Sequence, residues 1–227
     1  MRTILLASIA AAAVVLGTGA SQADTLVVGN TPNGGNCFPF GCSSWAPEYQ
    51  QVYASPDFAG PITIVGLTFY NSQGGASGGF TSGLFTLALS STSAAVNGLD
   101  LNNLANNIGA DNTVVFSGTL PAGSIPVGGS ATIAFSTPFT YDPGSHLNLL
   151  LDVVSPAPGA GHSLFDADNR NAGGLFSRAM TPGCCAAFDD HGLVTGFDIA
   201  TPVPEPASLV LMGVGLVSLG LTRRRRM

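Results

Sequence analysis

The stretch HLNLLLDVV, residues 146–154, carries an apolar side chain at every second position. The alternating apolar residues are Leu147, Leu149, Leu151 and Val153. The opposite set includes the polar residues His146, Asn148 and Asp152. Consecutive side chains of a β-strand point to opposite faces. The pattern therefore predicts a strand with one apolar face, since a helix would need a period near 3.6.

Five further stretches have the same character and are separated by turn-forming residues. They are PITIVGLTFY at 61–70, GLFTLALS at 83–90, TVVFSG at 113–118, ATIAF at 131–135 and LVTGFDIA at 193–200. Gly66 lies inside the first of them and predicts a bulge or kink. The only helical expectation is a short turn near 99–108. The sequence thus predicts an all-β domain over 24–201, an antiparallel β-sandwich of jelly-roll-like type.

The charge of the chain excludes some partners. The sequence has no lysine, and residues 24–203 carry two arginines against twelve carboxylates. A phosphate-rich partner would be repelled by such a surface. We therefore expect no binding to nucleic acid or to anionic lipid through the domain.

Residues 1–23 have the features of a secretory signal peptide. Arg2 is followed by an uncharged apolar run, and Ser21 and Ala23 occupy the small-residue positions of a cleavage site. We expect export by the Sec machinery and cleavage by signal peptidase before Asp24. The alternative is an N-terminal anchor that is not cleaved.

The C-terminal segment, 202–227, has three parts in a fixed order. The triplet Pro204, Glu205 and Pro206 comes first, and a mostly apolar run at 207–222 follows. A basic cluster then ends the chain: Arg223, Arg224, Arg225 and Arg226. The run predicts a single, marginal membrane helix, and the arginines predict a cytoplasmic end. The alternative is an ordinary tail anchor.

This tail resembles the PEP-CTERM sorting signal of Gram-negative bacteria that make exopolysaccharide. The resemblance implies recognition by an exosortase, a membrane-embedded cysteine transpeptidase, with processing near the triplet. It also implies transient anchoring in the inner membrane, followed by a cell-surface or extracellular location. NCFPFG at 36–41 and residues 49–70 look similar, more loosely, to β-sandwich domains of the same family.

Four cysteines, Cys37, Cys42, Cys184 and Cys185, would enter an oxidising compartment on export. They allow three disulfide pairings. The interpretation that we favour links the first pair to the second, which would join the start of the domain to its end. The alternative is a local Cys37–Cys42 bridge with a vicinal Cys184–Cys185 bridge.

Metal-binding candidates are sparse. FDADNRNAGG at 165–174 offers oxygen ligands for Ca²⁺. These candidates are Asp166, Asp168, Asn169 and Asn171. Arg170 stands where an EF-hand loop would place an acidic ligand, so an Asx-type turn is the alternative. Three dispersed histidines, His146, His162 and His191, lack a metal-binding spacing. We expect no cofactor, with Ca²⁺ as the exception to test.

No catalytic motif stands out in the sequence, so we expect a protein that is not an enzyme. The first hypothesis is an exosortase-sorted envelope or exopolysaccharide-matrix protein. The second is a carbohydrate-binding module, for which an aromatic stacking patch would be drawn from Phe38, Phe40, Trp45, Tyr49 and Tyr53; core packing is the competing role for these rings. The third is a secreted hydrolase that uses residues such as Asp166, Asp189 and His191.

Overall fold

The computed structural model describes residues 24–42, 46–72, 80, 82–120, 123–157, 164–168, 173–181 and 191–200. The signal-peptide and membrane-helix predictions therefore lie outside the described residues.

Twelve strands form within this part of the chain, together with three short 3₁₀ helices. The strands are β1 (Asp24–Val28), β2 (Gly34–Asn36), β3 (Glu48–Tyr53), β4 (Ile62–Asn71), β5 (Leu84–Thr92), β6 (Thr113–Thr119), β7 (Gly129–Tyr141), β8 (Asn148–Ala157), β9 (Phe165–Asp168), β10 (Phe176–Met180), β11 (Gly192–Leu193) and β12 (Thr195–Ile199). The 3₁₀ helices are η1 (Ser55–Asp57), η2 (Leu104–Asn107) and η3 (Pro143–Ser145). The prediction of an all-β domain is confirmed, and η2 lies where a short turn was expected.

Three sheets are formed, and every strand pair is antiparallel. A four-stranded sheet has the order β1-β12-β4-β7, and a five-stranded sheet has the order β10-β3-β8-β5-β6. A third, small sheet has the order β11-β9-β2. Successive strands often change sheet, as β4 to β5 and β6 to β7 do, so the chain crosses repeatedly between the two larger sheets.

Aromatic side chains fill the core that the sheets share. The ring of Phe40 lies 4.9 Å from that of Phe69 on β4 and 5.6 Å from that of Phe85 on β5, measured between centroids. The ring of Tyr53 on β3 lies 4.9 Å from that of Phe197 on β12. Such contacts add about 0.5–1.5 kcal/mol each beyond the burial of apolar area. They hold the two larger sheets face to face.

The outer face of the five-stranded sheet is covered by the connection between β5 and β6. Leu99 and Leu104 from this connection pack on Val52, Leu150 and Ala179. A strand of this sheet can therefore be buried on both faces, as β3 is. That burial explains why period-2 alternation is weak there.

The bulge expected at Gly66 is confirmed. The pairing of β4 with β7 shifts register between Ile64 and Gly66. A β-carbon at Gly66 would lie 3.0 Å from Oδ2 of Asp198 and 3.1 Å from the carbonyl oxygen of Ile133. The glycine thus permits a close approach of two neighbouring strands at the bulge.

The structure differs from the sequence prediction in several elements. The stretch 193–200, predicted as one strand, is divided between β11 and β12, which belong to different sheets. Residues 165–168, interpreted as part of a turn or a Ca²⁺ loop, form β9 instead. The strands that sequence analysis did not identify are β1, β2, β3, β9 and β10.

The favoured disulfide pairing is wrong for the first cysteine pair. Cys37 and Cys42 are bonded to each other, with their α-carbons 5.2 Å apart. A tight turn brings them together, because the amides of Gly41 and Cys42 both donate to the carbonyl oxygen of Cys37. That separation suits a disulfide. Cys184 and Cys185 lie outside the described residues.

Candidate functional site

The end of β12 is where the chain leaves the sheet toward its C-terminal segment. Asp24 pairs with Ile199 in the β1–β12 register. The amide of Ala200 donates to the carbonyl oxygen of Thr63 on β4, at 2.8 Å. β12 is therefore paired on both sides almost to its last residue. We call the end of β12 at Ile199 and Ala200 the chain exit.

Asp198 links the strands that flank β12. Its Oδ1 accepts a hydrogen bond from the Thr25 hydroxyl at 2.7 Å, and its Oδ2 accepts one from the Thr68 hydroxyl at 3.0 Å. Hydrogen bonds to a charged acceptor are stronger than neutral ones. One carboxylate thus ties β1 and β4 to β12 directly before the chain exit.

A shallow depression of about 330 Å³ lies at the same end of the sheet. Two loops line it, one before β4 and the other after β7. Ala59 and Pro61 come from the first loop, and Asp142 and His146 come from the second. The pairing of Ile62 with Tyr141 brings the loops together. We call this feature the exit depression.

Two titratable groups beneath the exit depression are perturbed by burial. Desolvation raises the pKa of Asp57 to about 6, and Oδ2 of this residue has no hydrogen-bond partner within the described chain. Desolvation, with smaller contributions from the charges of Asp57 and Asp142, raises the pKa of Tyr141 to about 12. The Tyr141 hydroxyl donates to the carbonyl oxygen of Leu147 at 2.7 Å. Tyr141 is therefore held neutral and serves to fix the second loop.

A buried polar network lies on the outer face of the five-stranded sheet. Nε2 of Gln50 donates to Oδ1 of Asp152 at 3.0 Å and to the carbonyl oxygen of Leu104 at 3.1 Å. Nδ2 of Asn107 donates to Oε1 of Gln50 at 2.8 Å. These bonds fasten η2 and its flanking loops onto the sheet.

The ionisation of Asp152 is shifted by this environment. Desolvation raises the pKa of Asp152 to about 6; the hydrogen bond from Gln50 opposes the rise, and the charge of Glu48 adds to it. Desolvation also raises the pKa of Glu48. Perturbed carboxyl groups are common at catalytic sites, but structural networks produce them as well. Here the carboxylate accepts a hydrogen bond from Gln50, and Gln50 in turn binds the Leu104 carbonyl of the connection.

The described Ca²⁺ candidates are occupied by contacts within the protein. Asp166 and Asp168 are buried on β9. Asp166 accepts a hydrogen bond from the amide of Ser72 at 2.7 Å. Asp168 accepts bonds from the side chains of Asn30 and Asn33, at 2.8 and 3.3 Å. The two carboxylates thus fasten neighbouring loops to the small sheet. Asn169 and Asn171 lie outside the described residues.

The remaining candidate ligands are dispersed. No group of three or more His, Cys, Asp or Glu side chains is placed to hold a metal ion in the part of the chain that the structure describes. His146 follows η3 and is exposed, whereas His191 precedes β11 and is half-buried. His162 and the proposed hydrolase residue Asp189 lie outside the described ranges. Neither His146 nor His191, the two described histidines, belongs to a group of three such ligands.

The candidate stacking rings are buried rather than exposed. Phe38, Phe40, Tyr49 and Tyr53 are all part of the core. Their predicted packing role is confirmed, while Trp45 lies outside the described residues. Across the described ranges the exposed large apolar side chains are all aliphatic: Val27, Leu84, Val114 and Val127. An aromatic row for sugar stacking is thus missing from the sheet faces that are described.

No helix within the described ranges has the length and apolar character that a membrane crossing requires. The sorting residues Pro204, Glu205 and Pro206 and the cluster Arg223, Arg224, Arg225 and Arg226 also lie outside those ranges. What the structure places is the chain exit, four residues before Pro204.

Comparison with known proteins identifies this tail. Residues 202–226 match the family model described as the PEP-CTERM protein-sorting motif. No curated protein matches the chain. The motif indicates an exported protein that is anchored transiently in the membrane and that an exosortase processes. The chain is therefore a protein that carries a C-terminal PEP-CTERM sorting motif.

Proposed function

We propose that this protein is a jelly-roll-like β-sandwich that acts without enzymatic activity at the surface of a Gram-negative bacterium, in the envelope or the exopolysaccharide matrix. An exosortase is its processing partner. The observation that carries the proposal is the sorting motif at 202–226. It begins two residues after Ala200, which is the last residue that the structure describes and is bonded to β4 of the four-stranded sheet.

The route to the surface follows from the two ends of the chain. The signal peptide at 1–23 directs the chain to the Sec machinery, and signal peptidase releases Asp24. The helix at 207–222 stays in the inner membrane until the exosortase acts, with the basic cluster 223–226 on the cytoplasmic side. Processing near Pro204–Pro206 then frees the folded domain from its helix.

A non-enzymatic role is supported by the use that the fold makes of its polar side chains. Gln50, Asp152 and Asn107 hold a connection against the sheet. Asp166 and Asp168 fasten loops to the small sheet. Asp198 binds β1 and β4 to β12. Each of these groups is already bonded to a neighbouring strand or loop of the domain.

The two competing hypotheses have less support. A carbohydrate-binding module would use exposed rings, but the described candidates Phe38, Phe40, Tyr49 and Tyr53 are buried. A hydrolase would need a nucleophile or acid and a base in one cleft, but Asp166 is buried and accepts a hydrogen bond from Ser72. We therefore retain the structural role as the proposal.

Sorting is tested in the native host with a double substitution, Pro204→Ala and Pro206→Ala. We expect wild-type protein to reach the cell surface or the medium without its tail. The double variant should remain full length in the membrane fraction. Val203→Ala, directly before the triplet, is the matched control and should be processed normally. Equal processing of the double variant and the wild type would contradict sorting through the triplet.

Association with the matrix is tested separately. In a host strain that makes no exopolysaccharide, the processed protein should move from the cell-associated fraction into the medium. A distribution that does not depend on the polysaccharide would contradict the matrix role and leave the sorting proposal standing.

A further inference from the structure

We infer that the exit depression is a docking surface for the transpeptidase that processes the tail. The folded domain would then take part in presenting its own sorting motif. This inference rests on the proposed sorting by an exosortase, and it adds a second recognition surface to the triplet. It follows from the length of the tether, the position of the depression, and the charges around it.

The tether between the domain and the triplet is short. The Ala200 amide is bonded to β4, and Pro204 is four residues further along the chain. A fully extended chain spans at most about 3.6 Å per residue, so Pro204 reaches no more than about 14 Å from Ala200. An enzyme that holds the triplet must therefore lie against this end of the domain.

The exit depression lies within that range. Neighbouring strands in a sheet are about 4.8 Å apart, and the order here is β12-β4-β7. Pro61 directly precedes β4 and Asp142 directly follows β7. Ala200 lies opposite Thr63, so both residues are also offset along the strands by about two residues, roughly 7 Å. They are thus roughly 8 and 12 Å from Ala200. A folded protein bound at the triplet covers both.

The chain exit is also a fixed point. β12 is paired with β1 and with β4, and the Asp198 carboxylate accepts hydrogen bonds from Thr25 and Thr68 on these strands. The tether consequently starts from a defined point beside the exit depression. A surface that is presented in this way can contribute specificity at little entropic cost.

Charge indicates the chemistry of the partner surface. Carboxylates at this end belong to Asp24, Asp57 and Asp142, and the α-amino group that signal peptidase frees on Asp24 offsets one of these charges. Residues 54–63 and 140–147 contain no Lys or Arg. Complementary charge favours encounter and correct orientation across an interface. The partner surface that fits is a cationic rim on the extracytoplasmic side of the membrane-embedded enzyme.

The test introduces one positive charge into the depression and one far from it. Ala59→Lys places a cation in the exit depression, where the native residue is exposed. Val127→Lys is the matched control, since Val127 is 67% exposed in the β6–β7 connection, away from the depression. Processing is followed by pulse labelling and intact mass in the native host, with the full-length chain.

We expect Ala59→Lys to slow processing about 3- to 10-fold, the size of effect that a charge at the rim of an interface produces. Val127→Lys should be processed at the wild-type rate. Equal rates for the two lysine variants would overturn the docking surface. Faster processing of Ala59→Lys would also overturn it, because it would indicate that the depression faces anionic lipid. Thermal melting of both variants checks that each is folded.

A longer tether provides a second test of the docking surface. Twelve Gly and Ser residues inserted between Ala200 and Thr201 let the enzyme hold the triplet without meeting the domain. In this background, Ala59→Lys and the unsubstituted chain should be processed at equal rates, whereas a persistent difference would contradict docking imposed by the tether. If the Pro204→Ala and Pro206→Ala double variant were processed normally in this background, the sorting proposal itself would be contradicted, and not only the docking surface.

Discussion

The side-chain amide of Gln51 binds the backbone of Leu193 as a neighbouring strand would. Oε1 of Gln51 accepts a hydrogen bond from the amide of Leu193 at 2.9 Å, and Nε2 donates to the carbonyl oxygen of Leu193 at 2.9 Å. Both residues are fully buried. One glutamine on β3 thus supplies the hydrogen bonds that the edge of β11 lacks, and it couples the five-stranded sheet to the small sheet.

Substitution of this glutamine should destabilise the domain. Gln51→Leu removes the acceptor of the buried Leu193 amide, while the Leu193 carbonyl oxygen keeps its hydrogen bond from the Thr195 hydroxyl. An unsatisfied buried polar group costs about 1–3 kcal/mol, and the lost bond to the carbonyl adds to it. We expect the free energy of unfolding in urea to decrease by about 2–4 kcal/mol. Thr63→Ala removes an exposed hydroxyl pair with Thr140 and should change it by less than about 0.5 kcal/mol. Equal losses in the two variants would contradict the coupling role of Gln51.

Gly192 lies beside the contact between Gln51 and Leu193, and the packing there leaves no space for a side chain. A β-carbon there would be 2.5 Å from a ring carbon of Phe176 and 2.8 Å from Cδ of Gln51. Gly192→Ala should therefore destabilise the domain by about 1–3 kcal/mol, the usual cost of overpacking. Gly123→Ala is the matched control, because a β-carbon at Gly123 meets nothing within 4 Å. A melting temperature of Gly192→Ala as high as that of Gly123→Ala would show that this packing is wrong.

The raised pKa of Asp152 predicts a pH dependence of stability. Its folded-state pKa of about 6 lies above the unfolded value, which is about 3.9. The folded state therefore holds this proton more tightly, and the contribution of Asp152 to the free energy of unfolding declines as pH rises from about 4 to about 6. Asp152→Asn removes this cost and keeps an Oδ1 acceptor for Gln50.

Measured against the wild type, Asp152→Asn should gain roughly 2–3 kcal/mol of stability at pH 8 and little at pH 4. Urea denaturation at both pH values checks this prediction. A variant that is less stable than the wild type at pH 8 would show that the Asp152 carboxylate is favourable in its network.

The local disulfide predicts a simple peptide map. Digestion of unreduced protein from the native host should give Cys37 and Cys42 within one peptide that is two hydrogen masses lighter than its reduced form. A peptide that joins Cys37 or Cys42 to Cys184 or Cys185 would contradict the pairing in the structure. Closure of so short a loop is worth only about 2 kcal/mol in the chain-entropy model.

Local alternation made part of the fold predictable. β5, β7 and β8 carry apolar residues at every second position, and that pattern needs no knowledge of distant residues. β3 and β10 do not, because buried positions on these strands hold Gln51 and Arg178. The partner of Gln51 is Leu193, 142 residues away, so its burial is a long-range property of the fold.

The candidate site also has one part that the sequence predicts and another that only the fold reveals. The sorting triplet is contiguous, and its order relative to the apolar run and the arginines can be read from the sequence. The exit depression is built from Pro61 and Asp142, which are far apart in the chain and are brought together by the pairing of Ile62 with Tyr141. Only the strand order shows that this depression lies beside the chain exit.

The measurement that tests the central claim most directly is the intact mass of the protein recovered from the surface and medium of its native host. The account predicts a chain that begins at Asp24 and ends near Pro204–Pro206, with any added mass identifying what is attached. A chain that still contains Arg223–Arg226 and Met227 at the surface would contradict sorting by an exosortase and would leave a plain C-terminal membrane anchor.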